Sequence, residues 1–205
     1  MTRRTPLVLA FHKPRGILVS RVREGHAPTL FEILPERYRG WFAVGRLDLD
    51  SEGLVLLCDD SRAAQRLMDP GGVAKTYLVT VEGFPSEEAL ARLRDGALEL
   101  GSRVTRPIGI TRLGKAPRGG TRLEIVLHEG INRQIRRSFH LIGHRVRRLI
   151  RMAVGTIRLG DLAPGDGREL EPGEVASLMA AAACGQVTAR TRRAVPATHP
   201  DPRGR

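Results

Sequence analysis

The chain has 205 residues, with 34 lysines and arginines against 22 acids, a net charge of +12 and a pI near 11.2. A 41% hydrophobic content suits one packed core. The apolar run at Leu7-Val8-Leu9-Ala10 is too short for a signal sequence or a membrane span, and Cys58 and Cys184 have neither metal-ligand nor disulfide-framework spacing.

Leu7, Leu9 and Phe11 alternate before His12-Lys13-Pro14-Arg15-Gly16, which predicts a strand ending in a basic turn. Two apolar runs, 41–44 and 54–57, read as buried strands around an acidic loop. Ser61 can cap a helix reaching Met68, which Pro70-Gly71-Gly72 closes. Tyr77, Val79 and Val81 alternate with polar neighbours in the next strand. Ser86-Glu87-Glu88 opens a helix that Gly96 stops. Residues 101–120 show no clear period and predict a strand fragment and a mobile basic loop. Leu123, Ile125 and Leu127 mark another strand, and 132–142 a helix with Gly143 just past its end. Residues 144–151 alternate arginine with apolar residues, as a half-buried strand with a basic outer edge would. Pro164-Gly165-Asp166-Gly167 is a turn. From Ala189 onward there is almost nothing to pack, which predicts disorder.

Three segments could carry chemistry. The first is Gly45-Arg46-Leu47-Asp48-Leu49-Asp50-Ser51-Glu52-Gly53. Its acids fit the opening of a calcium loop, but the flanks read as strands and its second half is apolar. The same loop can instead present a catalytic carboxylate beside an arginine, or be a solvated turn. The second is the 132–142 helix. At about 100° per residue, Arg133, Arg136, Arg137 and His140 share one face, and Ile135, Phe139 and Ile142 share the other. Arginines at these spacings repel one another, so an anion or a carboxylate such as Asp48 would relieve them. The third is Lys75-Thr76-Tyr77, where Tyr77 taken alone reads as core. The basic excess is almost all arginine, because lysine occurs only at Lys13, Lys75 and Lys115. Arginine pairs with phosphate through two bonds at once, so nucleic acid is the favoured partner.

Taken in order, these segments resemble the pseudouridine synthase subfamily of small-subunit synthase A and large-subunit synthases B, E and F. Gly45-Arg46-Leu47-Asp48 followed by Asp50-Ser51-Glu52-Gly53 is similar to its central motif, which implies Asp48 as the catalytic carboxylate. Lys75-Thr76-Tyr77 is similar to the motif whose tyrosine stacks on the target base. Asn132-Arg133-Gln134-Ile135-Arg136-Arg137 resembles the motif whose basic residue pairs with that aspartate, which points to Arg136. His12-Lys13-Pro14-Arg15-Gly16 and Leu149-Ile150-Arg151 match the opening and closing segments. The arrangement is most similar to the synthase E branch, without the leading S4-type RNA-binding module. Cys58-Asp59-Asp60 stands where the family tends to have Thr-Asn-Asp.

The resemblance implies an α+β catalytic domain over 6–183, with a mixed, largely antiparallel sheet, outer helices and a central RNA-binding cleft. A basic, disordered tail over 184–205 follows. The implied reaction is isomerisation of one uridine in ribosomal RNA, most similar to that at a 23S site near the peptidyl-transferase region. The base must leave the stack to be reached. No group enters or leaves, so no cofactor, metal or nucleotide is expected. Arg46, Lys13, Lys75, Arg133, Arg137 and Arg151 are the expected RNA contacts, with Arg46 near the vacated helix position. A carboxylate at Asp48 could attack the sugar, attack the base or remove a sugar proton. A monomer in the cytoplasm, with no membrane partner, completes the expectation. The alternatives are a non-catalytic RNA chaperone on the same fold and a small-subunit synthase that has lost its leading module.

Overall fold

The computed structural model describes residues 4–193 apart from 70, 71 and 118, and side chains as far as 184. In chain order the elements are β1 (Val8–Lys13), α1 (Leu30–Ile33), a 3-10 turn at Glu36–Tyr38, β2 (Phe42–Ala43), β3 (Glu52–Cys58), α2 (Ser61–Met68), β4 (Lys75–Val81) and α3 (Glu87–Asp95). Then come β5 (Glu99–Leu100), β6 (Arg103–Val104), β7 (Gly109–Lys115), β8 (Thr121–Leu127), α4 (Gln134–Leu141), β9 (Val146–Val154), β10 (Ile157–Arg158), β11 (Gly167–Glu169) and α5 (Pro172–Arg193).

One sheet runs in the order β11-β1-β3-β9-β4-β8-β7, with β2 and β10 added beside β3 and β9. Every pairing in it is antiparallel except β3 with β9. This is the expected α+β architecture. The sheet is covered on both faces, which explains the unbroken apolar run of β3. Val55 and Leu57 join one core with Phe139 and Ile135 of α4 and Leu90 of α3, while Leu54, Leu56 and Cys58 join the other with α2 and α5. A strand buried on both sides loses the two-residue alternation. Fully burying one such leucine contributes roughly 1.5–3 kcal/mol.

Several local expectations need correction. Asp60, not Ser61, caps α2, accepting from the amides of Arg62 and Ala63 at 2.8 and 2.9 Å. Residues 101–120 are not a mobile loop. They hold β6, which pairs with β5 just before them, and the seven-residue edge strand β7, paired along β8. Only Ile110 of β7 is buried, so side-chain periodicity could not reveal a strand that its backbone bonds hold in place. Strand β9 does not form an outer basic edge but lies between β3 and β4. Helix α5 runs to Arg193, across the boundary expected at 184, in keeping with the helix-forming alanines at 180–183. The remainder of the expected tail, 194–205, and the Pro70-Gly71 part of the stop after α2 lie outside the described residues. Among the described residues, no helix is long and apolar enough to cross a membrane.

Candidate active site

The acidic loop enters β3, the strand beside the sheet's centre. Leu47 points inward and is buried, while Asp48 and Asp50 keep 25% and 34% of their side chains exposed. The Ser51 amide donates to the Asp48 carbonyl at 3.1 Å, closing a turn, and the Gly16 amide donates to Leu49 O at 2.8 Å. The basic turn after β1 is therefore tied directly onto the acidic loop.

Helix α4 supplies the opposite charge. Its apolar stripe, Ile135 and Phe139, is sunk in the core, and that orients its arginines towards the loop. Arg136 is 12% exposed and donates to Asp50 O at 2.9 Å, Ser51 Oγ at 3.1 Å and Val146 O at 3.2 Å. Its Nη2 lies 3.2 Å from Asp50 Oδ1, and its Nε 3.8 Å from Asp48 Oδ2. Arg133 stands just before the helix in a left-handed conformation, φ 50° and ψ 31°. A non-glycine residue held there is uncommon and costs energy. Its guanidinium meets both Asp50 oxygens at 3.3 and 3.4 Å and Asp48 Oδ2 at 3.5 Å. The expected pair of Asp48 and Arg136 is thus part of a four-membered network that also contains Asp50 and Arg133.

Burial pushes the Asp50 carboxyl up, but the Arg133 hydrogen bonds and the charges of Arg136 and Arg133 outweigh it and hold Asp50 below the usual carboxylate range. Burial lowers Arg136 most, opposed by the Asp50 charge. Glu52 is held low first by its hydrogen bond from Arg148, at 2.7 Å.

A single cross-strand row underlies the loop. Lys13 of β1 pairs with Gly53 of β3, Gly53 with Arg151 of β9, and Arg151 with Tyr77 of β4. Gly53 has φ 108°, and a Cβ there would stand 2.4 Å from the Arg151 carbonyl oxygen. Only glycine lets the two backbones approach so closely. Tyr77 is 8% exposed and packs with Val79 and Val81, so most of its ring is core and a small part reaches solvent.

Three expected RNA contacts are placed differently from the expectation. Lys13 is fully buried, and its Nζ donates to Pro14 O at 2.9 Å and Ile17 O at 2.7 Å, stapling the basic turn. Arg151 is 2% exposed, with Nε on Leu54 O at 2.6 Å and Nη1 on Arg46 O at 3.3 Å. Lys75 is half-buried and donates to Val73 O at 3.3 Å. Lys13 and Arg151 therefore offer no surface to a phosphate. Arg46 is exposed and Arg137 half-buried. Sequence reasoning missed Ser51, which receives Arg136, and Gln134, which is buried and bonds Glu129 at 2.6 Å ahead of α4. Both stand inside the quoted motifs, but a serine or glutamine there does not by itself announce which partner it takes.

A carboxylate facing two guanidiniums, on a partly exposed loop that enters the sheet two strands from a tyrosine, in a basic protein, is suited to nucleophilic or base chemistry on a nucleotide. The family model for RNA pseudouridylate synthase matches residues 7–141, and the chain belongs to that family, whose members are isomerases acting on RNA. It is 36% identical to the ribosomal large subunit pseudouridine synthase B of Bacillus subtilis over 88% of this chain and 74% of the relative. It is 40% identical to the large subunit pseudouridine synthase E of Xanthomonas axonopodis pv. citri over 77% of this chain and 90% of the relative. A crystal structure of a pseudouridylate synthase superposes with a TM-score of 0.75 at 28% identity, covering 84% of this chain and 74% of that one. The chain spans 59% of the length of an uncharacterized RNA pseudouridine synthase of Aquifex aeolicus to which it is 40% identical. Its similarities thus lie with synthases B and E of the large ribosomal subunit.

Proposed function

We propose that this chain converts one uridine of ribosomal RNA to pseudouridine, in 23S rRNA near the peptidyl-transferase region, with Asp48 as the catalytic carboxylate. The observation that carries the reading is Asp48 Oδ2 lying 3.5 Å from Arg133 and 3.8 Å from Arg136 on a partly exposed loop. Two guanidiniums orient the carboxylate, and either of the proposed roles, nucleophile or base, uses its charged form. The names of the large-subunit relatives favour 23S over small-subunit RNA.

The reaction balances within the nucleotide. The bond from the sugar to the base nitrogen breaks, the base turns, and a bond from the sugar to a base carbon forms. That carbon gives up its proton and the nitrogen gains one. Asp48 acts at the sugar or the base. Tyr77 supplies a flat surface for the flipped ring, and Arg46, exposed just before Asp48, reaches towards the position the base leaves. Arg137 and His140 on α4 serve the RNA backbone. The acting unit is a cytoplasmic monomer, and its catalytic part is the 6–183 segment.

The test is to map pseudouridine in both ribosomal RNAs from cells with and without the gene, then with the gene carrying Asp48→Asn. One 23S position should be lost and should return only with the wild-type chain. A lost small-subunit position would give the substrate to the other ribosomal RNA. No lost position, with ribosome assembly impaired, would favour a chaperone.

A further inference from the structure

Arg151 stands apart from the ion-pair network around Asp48. It is 2% exposed, and among the described residues its side-chain hydrogen bonds go to backbone carbonyls and to no carboxylate. A buried guanidinium without a counter-charge is costly. Here the cost spreads to its neighbours. After burial itself, the Arg151 charge is what pushes Lys75 down, and it also weighs on Lys13. Its Nη2 is buried with no hydrogen-bond partner among the described residues. An apolar side chain would suit this place in the core better for stability alone.

What the guanidinium does instead is read from its two bonds. It donates to Leu54 O at 2.6 Å and to Arg46 O at 3.3 Å. Those carbonyls bracket residues 47–53, the stretch that carries Asp48. The forked guanidinium reaches the two carbonyls with separate nitrogens held in a fixed plane, whereas a lysine would have to meet both from one atom. On the sheet, Arg151 pairs with Gly53 at the end of the loop and with Tyr77 on the other side. The same residue therefore touches both ends of the loop and stands beside the ring.

We propose that Arg151 is a positioning residue for the isomerisation, pinning both ends of the Asp48 loop to the sheet and so fixing Asp48 relative to Tyr77. The inference rests on the roles given to Asp48 and Tyr77 above. It replaces the phosphate contact that the sequence suggested for Arg151.

The experiment uses the full chain and a 23S rRNA fragment carrying the mapped uridine. It compares wild type, Arg151→Met, Arg151→Lys and Asp48→Asn. Single-turnover rate at saturating enzyme, RNA affinity and amide hydrogen exchange are read for each, at a temperature where circular dichroism shows the variant folded. Arg151→Met should lose about 100-fold in rate, the scale of a reacting group misplaced by an ångström, while RNA affinity stays nearly unchanged. Exchange should quicken within 47–53 and not in β8. Arg151→Lys should fall between the two in rate.

Full rate in folded Arg151→Met overturns the proposal. So does a rate loss matched by an equal loss of RNA affinity, which would make Arg151 an RNA contact. Faster exchange across the whole sheet overturns it too, in favour of a general packing role. If Arg151→Met does not fold, Arg151→Lys decides: wild-type rate overturns the proposal, and a reduced rate with faster exchange confined to the loop supports it. An inactive wild type, or a fully active Asp48→Asn, removes the underlying reading and this proposal with it. That failure is recognised from controls in which Arg151 is untouched.

Discussion

Arg136 lies closer to Asp50 than to Asp48: 3.2 Å from Nη2 to Asp50 Oδ1, against 3.8 Å from Nε to Asp48 Oδ2. The Nε is buried and makes no hydrogen bond among the described residues, while the other nitrogens are held by Asp50, Ser51 and Val146. Arg136 is thus fixed by everything except Asp48. The arrangement leaves the Asp48 carboxylate guided by charge at 3.5 and 3.8 Å, which suits the catalytic role proposed for it. Arg133 is 44% exposed and can turn to a phosphate.

Asp48→Asn should abolish pseudouridine formation and leave affinity for an rRNA fragment nearly intact, since size is kept and charge is lost. Asp50→Asn should remain active but slow by roughly 10-fold to 100-fold, because Asp50 is what holds both arginines in place. Single-turnover rates and filter binding read both. An essential Asp50 with a dispensable Asp48 would reverse the assignment.

Arg136→Met should cost about 100-fold to 1,000-fold in rate, in line with losing a pre-set charge in a partly buried site, with a small effect on RNA affinity. Arg133→Met should lose affinity and rate together, because it faces both solvent and Asp48. Arg137→Met should weaken binding alone and reduce its salt dependence, as a phosphate contact does. Arg136→Lys should keep partial activity. Equal small losses in all four variants would reduce α4 to an electrostatic surface.

Tyr77→Phe should keep much of the activity and Tyr77→Leu should lose most of it, because stacking uses the ring face. The rates must be compared with urea melts, since Tyr77 is also core and Leu removes buried area. Complete loss with Phe at unchanged stability would assign the hydroxyl a direct role.

Gly53→Ala should destabilise the fold by about 2 kcal/mol or more, through a backbone clash combined with strain at positive φ. The new Cβ would meet the Arg151 backbone at 2.4 Å, and β3 and β9 have no slack where they join. Equilibrium urea unfolding measures it. Wild-type stability would show that the parallel contact is looser than these distances imply.

Lys13 gives a pH signature. Burial lowers its pKa from 10.5 to about 8, against the pull of Asp48, Asp50 and Glu52 and with the help of Arg151. The unfolded chain therefore holds this proton up to a higher pH than the native one does. The destabilising cost of the buried charge is complete below pH 8 and is relieved as pH rises towards 10.5. Lys75, also lowered by burial, acts in the same sense, while the raised pKa values of Cys58 and Tyr38 act oppositely once the unfolded thiol and phenol begin to ionise. Wild type should accordingly gain stability relative to Lys13→Met as pH rises from about 8 to 9.5. A difference independent of pH would mean that Lys13 stays charged throughout.

The sequence by itself determined the elements whose side chains alternate between core and water or follow a helical period. β4, β8, α3 and α4 lie where their patterns put them, because one-sided burial writes a period into the chain. It also determined the motif residues, since Asp48 and the arginines of α4 are recognisable in sequence order. Only the tertiary structure decided what involves two distant segments or backbone alone. β7 is a strand through its bonds to β8, and its exposed side chains carry no period. Helix α5 runs on past 184, where the sequence has too few apolar residues to mark a helical period. Lys13 and Arg151 look like surface cations in a basic chain. They are buried because β1 and β9 flank β3, and strand order is set by long-range pairing that local composition does not encode. For the same reason the sequence singled out the pair Asp48 and Arg136, while the four-membered network with Asp50 and Arg133 emerged only once α4 was packed against the loop.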